Sequence, residues 1–226
     1  MIPALLIWLY KKYIGPALKN RQQSMALKNT GKRAALTLAL LMSLALASAK
    51  ERTAVYHIKH NGNLIGKMQL SEVSEGENLY LKLASQVKTR MVIGINVNTS
   101  DQSHFSNGRL QYSNVTRSVN GRERENKRTR WNNEVYQTQA GSKTGQIRNP
   151  INYNMMLLYC KEPVNIGQVY SDNFQQFLPI KKTGTHSYRV ELPDGNYNDY
   201  HFRNGICTLV VVHHSFYTIR MELIDS

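Results

Sequence analysis

The chain has 226 residues, with 29 Lys or Arg against 15 Asp or Glu, a formal charge of +14. Seven of those basic residues and none of the acidic ones precede Lys50, which leaves 22 against 15, or +7, on the 177 residues that follow. That remainder suits one domain with a real core, and its charge is the moderate kind compatible with anionic surfaces rather than a demand for nucleic acid.

Residues 25–49 carry the layout of a secretory signal: Lys28, Lys32 and Arg33, then an apolar run over 34–47, then Ala47-Ser48-Ala49. Small residues at the end of such a run fit a signal peptidase cleft, so cleavage is expected between Ala49 and Lys50. Residues 1–24 are harder to place. The apolar piece 2–10 is nine residues long, against the roughly 20 needed to cross a bilayer. Gly15-Pro16 then breaks any helix in the basic stretch 11–21. We read Met1 as a misassigned start and Met25 as the true one; the rival reading is a leader that touches anionic lipid. No Cys stands near the cleavage site, so the exported product is expected to carry no lipid anchor, to lie in the periplasm or outside the cell, and not to span the membrane. Export removes nucleic acid as a partner.

From Lys50 onward the pattern has period two. Over residues 79–97 the odd positions read Leu79, Leu81, Leu83, Ser85, Val87, Thr89, Met91, Ile93, Ile95, Val97, and the even ones are mostly polar. One apolar face and one polar face is the mark of an antiparallel sheet wet on one side. Nineteen residues at about 3.3 Å each would make a rod too long for this domain, so the run must bend or reverse between Arg90 and Gly94. Leu79, Leu81, Leu83, Val87 and Met91 are expected inside; Lys82, Gln86 and Lys88 outside. Asn61-Gly62 and Asn204-Gly205 predict hairpin turns, and Asn107-Gly108, Asn120-Gly121, Ser74-Glu75-Gly76 and Asp194-Gly195 punctuate the rest at the intervals of a meander. A last hairpin is expected around His214-Ser215-Phe216.

Three segments carry more specific expectations. In 122–131, strand geometry lines up Arg122, Arg124, Arg128 and Arg130 on one face, a row able to hold phosphate or carboxylate; the plainer reading is a charged edge that resists aggregation. Asn149, Pro150 and the spacing of Ile151, Met155 and Leu158 predict one helix of about three turns, stopped by Pro163, that plugs or flanks the sheet. Across Asn204-Gly205, a two-residue turn pairs Phe202 with Cys207 and Tyr200 with Leu209, sets His201 against Thr208 and His213 against Asn196, and buries Cys207, Leu209 and Val211. In an oxidising compartment Cys207 and Cys160 are candidates for a disulfide; two buried thiols are the other reading.

No catalytic motif survives inspection. Ser85-x-x-Lys88, Ser171-Asp172-Asn173 and Lys182-Thr183-Gly184 imitate a penicillin-binding set, but Ser85 and Lys88 fall on opposite faces of a strand, where the chemistry needs them one helical turn apart. The seven histidines make no metal-ligand spacing, and neither cofactor nor metal is expected.

Val55-Tyr56-His57-Ile58-x-x-Asn61-Gly62-x-x-Ile65-Gly66, Leu158-Tyr159-Cys160-Lys161-Glu162-Pro163 and Leu192-Pro193-Asp194-Gly195-Asn196-x-Asn198-x-Tyr200 resemble a family of exported bacterial proteins known as a domain of unknown function. The opening is also similar to a second uncharacterised periplasmic β-rich family. The resemblance spans most of residues 53–223 and rests on turn and packing signals. It implies an antiparallel β fold in an envelope protein and supplies no functional residues.

The sequence therefore predicts a signal helix followed by a mainly β domain over 50–226, an antiparallel meander making a curved sheet or partly open barrel with one short helix. Its expected role is non-catalytic: binding a lipid-like or anionic envelope ligand, or a partner protein, on the concave face. The alternative is an envelope hydrolase whose site gathers Asp194, Asp199, His186 and His201.

Overall fold

The computed structural model describes residues 49–89 and 94–226; the expected signal segment up to residue 48, and Met91, lie outside them. The chain from Lys50 builds one antiparallel sheet of 14 strands. In order these are β1 (Lys50–His60), β2 (Asn63–Glu75), β3 (Asn78–Thr89), β4 (Ile95–Ser106), β5 (Arg109–Val119), β6 (Arg122–Trp131), β7 (Tyr136–Ala140), β8 (Lys143–Ile147), β9 (Gln168–Ser171), β10 (Gln176–Gly184), β11 (Ser187–Glu191), β12 (Tyr197–Arg203), β13 (Ile206–His214) and β14 (Tyr217–Asp225). Their spatial order runs β8 back to β1, then β14 back to β9. That is the order of an up-and-down ring cut open between β8 and β9.

The cut ends lie close together without pairing. Tyr170 Oη on β9 meets Thr129 Oγ1 on β6 at 2.9 Å. Just past β9, Lys127 Nζ donates to the carbonyl and the Oδ1 of Asn173, at 2.7 and 2.9 Å, and Gln175 Nε2 donates to the carbonyls of Arg128 and Gln139. The sheet is curled and barrel-like, and it is not closed.

Local chemistry explains most of this. Asn61 and Gly62 sit at φ 49° and 79°, and the same pair of positive angles recurs at Asn107-Gly108, Asn120-Gly121 and Asn204-Gly205. These are the type I′ geometries whose twist matches the flanking strands. The long apolar run divides into β3 and β4, which pair antiparallel with Val87 opposite Val97, so the odd positions keep one face across the reversal. Leu81 and Leu83 are buried while Lys82, Gln86 and Lys88 are exposed. The inward residues join a single core with Tyr56, Met68, Leu70, Phe105, Tyr200 and Val210.

Bulges interrupt six of the strand pairings, and three of them matter here. Between β12 and β13, Arg203 pairs with Ile206 and Phe202 with Cys207 as expected, but the next pairs are His201 with Leu209 and Tyr200 with Val210. Thr208 is the extra residue, so His213 lies opposite Tyr197, not Asn196. Cys207 and Val210 then share the interior, at 0% and 1% exposed, while Leu209 is only half-buried. A bulge inserts one residue and reverses which parity points inward beyond it. A second bulge at Arg124 breaks the arginine row: Arg128 and Arg130 share the outer face, whereas Arg122, opposite Val119, is out of phase with them. The third lies in β2, where Ile65 is the extra residue between Gly66 and Leu64. At Gly66 an added Cβ would sit 2.2 Å from the Gln86 carbonyl oxygen. Gly66→Ala is therefore expected to cost about 1–3 kcal/mol, as for overpacking against rigid backbone; a urea titration with unchanged stability would refute the contact.

The predicted helix over 149–158 is not formed. Ile151 and Tyr153 run extended: the Leu110 amide donates to the Ile151 carbonyl and the Tyr170 amide to that of Tyr153. Met155 returns a bond to the Tyr170 carbonyl, and Asn154 makes a single parallel bridge to Tyr170. Only Leu157–Tyr159 closes a turn, of 3-10 type. The stripe at helical spacing misled because this segment is buried on nearly every side: Ile151, Asn154, Met156, Leu157 and Leu158 are all inside. With no solvent face, neighbouring strands rather than local bonds satisfy the backbone, and Asn, Tyr and Pro are weak helix formers. The segment plugs the end of the curled sheet bearing the Asn107 and Gly205 turns, where the Glu162 amide binds the Gly205 carbonyl. Among the described residues no helix is long and apolar enough to cross a membrane.

Candidate ligand cavity

The inner surface changes character around the sheet. On β1, β2 and β3 it is Ala54, Tyr56, Ile58, Met68, Leu70, Leu81 and Leu83, all buried. Continuing the same parity into β4 brings Asp101 and Ser103 inward, opposite Val115 and Ser113 of β5. Lys127 and Glu125 of β6 follow, opposite Val115 and Arg117. The wall is hydrocarbon along β1–β3 and carries charge along the neighbouring β4–β6.

Between this wall and the plug lies a cleft of about 260 Å³. Met68, Leu83, Met155, Met156 and Met221 line its apolar part; Asp101, Arg117, Asp172, Asn173 and Asn198 line its polar end, with the rings of Tyr159 and Tyr200 nearby. Ser85 and Met221 also line a second, apolar cavity of about 410 Å³ built from Ile58, Ile65, Val87, Val97, Val212 and Ile219, so the two adjoin. That outer cavity lies toward the end of the sheet bearing the Asn61-Gly62 and Ser215-Phe216 turns, opposite the plug. Leu64, Ile95 and Phe216 are exposed there, Phe216 at 90%.

Two carboxyl groups define the polar end. Asp172 is buried; its Oδ2 accepts from Asn154 Nδ2 at 2.9 Å, and Asn154 also donates to Ser103 Oγ at 2.9 Å. Burial pushes the Asp172 carboxyl up to about 6, against the hydrogen bonds from Ser113 and Asn154 that favour its charged form. Burial, and then the neighbouring Asp172, push Asp101 up to about 7, with Arg117 opposing. The basic groups are engaged elsewhere: Arg117 pairs with Glu125 at 3.1 Å, and Lys127 lies 3.8 Å from Glu125 and donates to Asn173. Burial also raises the Tyr159 and Tyr200 hydroxyls above their ordinary value, so both stay neutral.

The residues expected to carry chemistry are scattered. Asp199 lies outside the barrel, bound by Arg189 at 2.7 and 2.9 Å and by His213 at 3.3 Å. His201 contacts Ser187 Oγ, His186 contacts Glu162, and Asp194 accepts from the Asn196 amide. These four do not meet. Arg128 and Arg130 line a polar groove of about 730 Å³ with Gln137, Gln139 and Gln146, away from the interior. Ser85 and Ser171-Asp172-Asn173 do line the inner cleft, but Lys88 and Lys182 are exposed, so neither lysine of the imitated set stands beside Ser85. Among the described residues no group of His, Cys, Asp and Glu is placed to hold a metal ion.

Cys160 and Cys207 are free thiols. Tyr56 Oη donates to the Cys207 carbonyl at 2.7 Å and more weakly to that of Tyr159. Burial pushes both thiols up to about 12, leaving them protonated and unreactive at neutral pH.

Sequence reasoning missed Asp101 and saw Asp172 only inside an accidental tripeptide. The signal was available for one of them: continuing the odd parity from Val97 puts a carboxylate at an inward position, which an alternating strand does not ordinarily place there.

The molecule is thus an antiparallel β protein, barrel-like, with a plugged end and an internal cavity of graded polarity. It belongs to the family described as Domain of unknown function (DUF6134), whose model matches residues 56–224. Among solved structures it is similar to a beta-barrel-like protein of domain of unknown function DUF1849 from Brucella abortus, with a TM-score of 0.52 at 10% identity, covering 78% of this chain and 96% of that one. At that identity the likeness is one of fold. No curated protein matches the chain.

Proposed function

We propose that this is an exported envelope protein that holds an amphiphilic small molecule inside its curled sheet. The observation that carries the reading is the continuous interior, with an apolar mouth and, deeper in, a polar end. Ligand pockets are mostly apolar with a few convergent polar groups, which is the composition here. The exposed Leu64, Ile95 and Phe216 at the same end of the sheet as the outer cavity suit contact with lipid or detergent-like surfaces. A hydrolase is the weaker reading, because Asp194, Asp199, His186 and His201 each have separate partners.

Native mass spectrometry of the protein purified from its own envelope fraction is expected to show an adduct of lipid-like mass that organic solvent removes. A bare protein mass, with no detergent-exchangeable adduct either, would overturn the reading. Filling the junction with Ser85→Phe should abolish the adduct.

Export is a separate proposal with its own test. It draws on the n-region, h-region and Ala47-Ser48-Ala49 layout, and on β1 beginning at Lys50. N-terminal sequencing of the exported protein should read Lys-Glu-Arg-Thr; a product retaining Met1 or Met25 would sink it.

A further inference from the structure

We propose that the polar end of the cavity seats a cationic headgroup, a primary ammonium or guanidinium carried on an apolar chain, between Asp101, Asp172 and Asn198. This rests on the reading of the interior as a binding site and adds the sign and chemistry of what enters it.

The inference comes from a count of donors and acceptors. Asp101 Oδ1, Asp172 Oδ1 and Asn198 Oδ1 are buried oxygens with no hydrogen-bond partner, and all three residues line the same cleft. Asp172 is 6% exposed, so water has little access to it. A buried acceptor without a donor costs about 1–3 kcal/mol, more if charged, and native proteins seldom leave several together. The nearby cations do not relieve the shortage, because Arg117 and Lys127 are turned to Glu125 and Asn173. The complement of three acceptors and two carboxylates is a positively charged donor of several hydrogen bonds. An ammonium has three such donors, and charge-assisted bonds of this kind are the strong ones. A carboxylate or phosphate headgroup would meet like charge and lone pairs. Met155, Met156, Leu83 and Met221 then receive the first methylenes, and the adjoining apolar cavity takes the rest of the chain.

The charged and titratable groups facing this point are Asp101 from β4, Arg117 from β5, Glu125 and Lys127 from β6, Asp172 beyond β9, Tyr159 from the plug and Tyr200 from β12. Burial pushes Asp101 up to about 7 and Asp172 up to about 6. Above pH 7 both are charged and the seat is complete; below pH 6 they take up protons and the attraction for a cation is lost.

Calorimetric titration of the full protein with n-decylamine, n-decanol and n-decanoate tests this. At pH 8 the amine, present as decylammonium, is expected to bind about tenfold or more tighter than decanol, which matches one well-made charge-assisted bond. At pH 5 the preference should fall to about threefold or less. Asp101→Asn and Asp172→Asn should each remove most of the preference at pH 8. Decanol or decanoate binding as tightly as the amine at pH 8 would overturn the cation seat and leave the amphiphile reading standing. Binding of none of the three would overturn both. A preference that survives both substitutions would put the cation elsewhere and so overturn this assignment. The pH series on the unaltered protein decides the matter even if a variant misfolds.

Discussion

Leu81→Ala is expected to lower the free energy of unfolding by about 2–5 kcal/mol, the range for deleting a buried Leu side chain in a packed core. Leu81 is 2% exposed, on the inner face of a strand paired on both sides, with Glu72 of β2 and Ser103 of β4 as neighbours. Strands bonded on both edges cannot shift to collapse the cavity, which favours the upper part of the range. The control is one residue away: Lys82→Ala, on the outer face, should stay within about 0.5 kcal/mol. Urea titrations of the three proteins check this; equal midpoints would mean that the strand presents its other face.

Asp101→Asn is expected to raise stability at pH 8, by about 1–3 kcal/mol, after discounting its raised pKa for partial solvent access. The carboxyl is pushed up to about 7 by burial and by Asp172, so the folded state holds its proton more tightly than the unfolded chain, whose Asp titrates near 3.8. A group of this kind contributes stability that is fully present below the unfolded value and is lost as pH rises through the folded one. From about pH 4 to about pH 7, then, Asp101 makes the protein less stable with rising pH, and Asp172 acts the same way over the range up to about 6. The Asn variant should lack that slope and melt higher at pH 8, and the advantage should vanish near pH 4. Differential scanning calorimetry across this range is the measurement. A variant that melts lower at pH 8 would mean that the charged carboxylate is already compensated.

The sheet was legible because its signals are local. Asn-Gly at four positions fixes four turns, and Leu79 to Val97 declare a face by alternation alone. What escaped was whatever a single inserted residue or a distant partner decides. Thr208, Arg124 and Ile65 are bulged by cross-strand pairing, and nothing in their own identities says so; the first reverses the parity on which the His201 and C-terminal assignments relied, and the second that of the arginine row. The segment 149–160 failed for a related reason. Its apolar spacing fits a helix, but β5 and β9 capture the Ile151 and Tyr153 carbonyls first. The candidate site is tertiary in the same sense: Asp101 and Asp172 are 71 positions apart by their numbering, and only the curl of the sheet brings Asp172, held by Asn154, to the wall that Asp101 occupies. The inward parity of Asp101 could be read ahead; its partner could not.

The pairing of β1 with β14 bears on how the fold assembles. The earliest strand lies in the middle of the sheet, and one of its two edges is completed only by the latest, Tyr56 against Leu223 and Ile58 against Met221. Contact between such remote segments carries a large loop-closure entropy, and high contact order slows folding. The eight strands that come first can zip together by successive hairpins, but that half-sheet presents Val55-Tyr56-His57-Ile58 as a bare hydrophobic border until residues 217–225 arrive. A chain stopped short of Tyr217 would therefore polymerise edge to edge rather than form a smaller barrel.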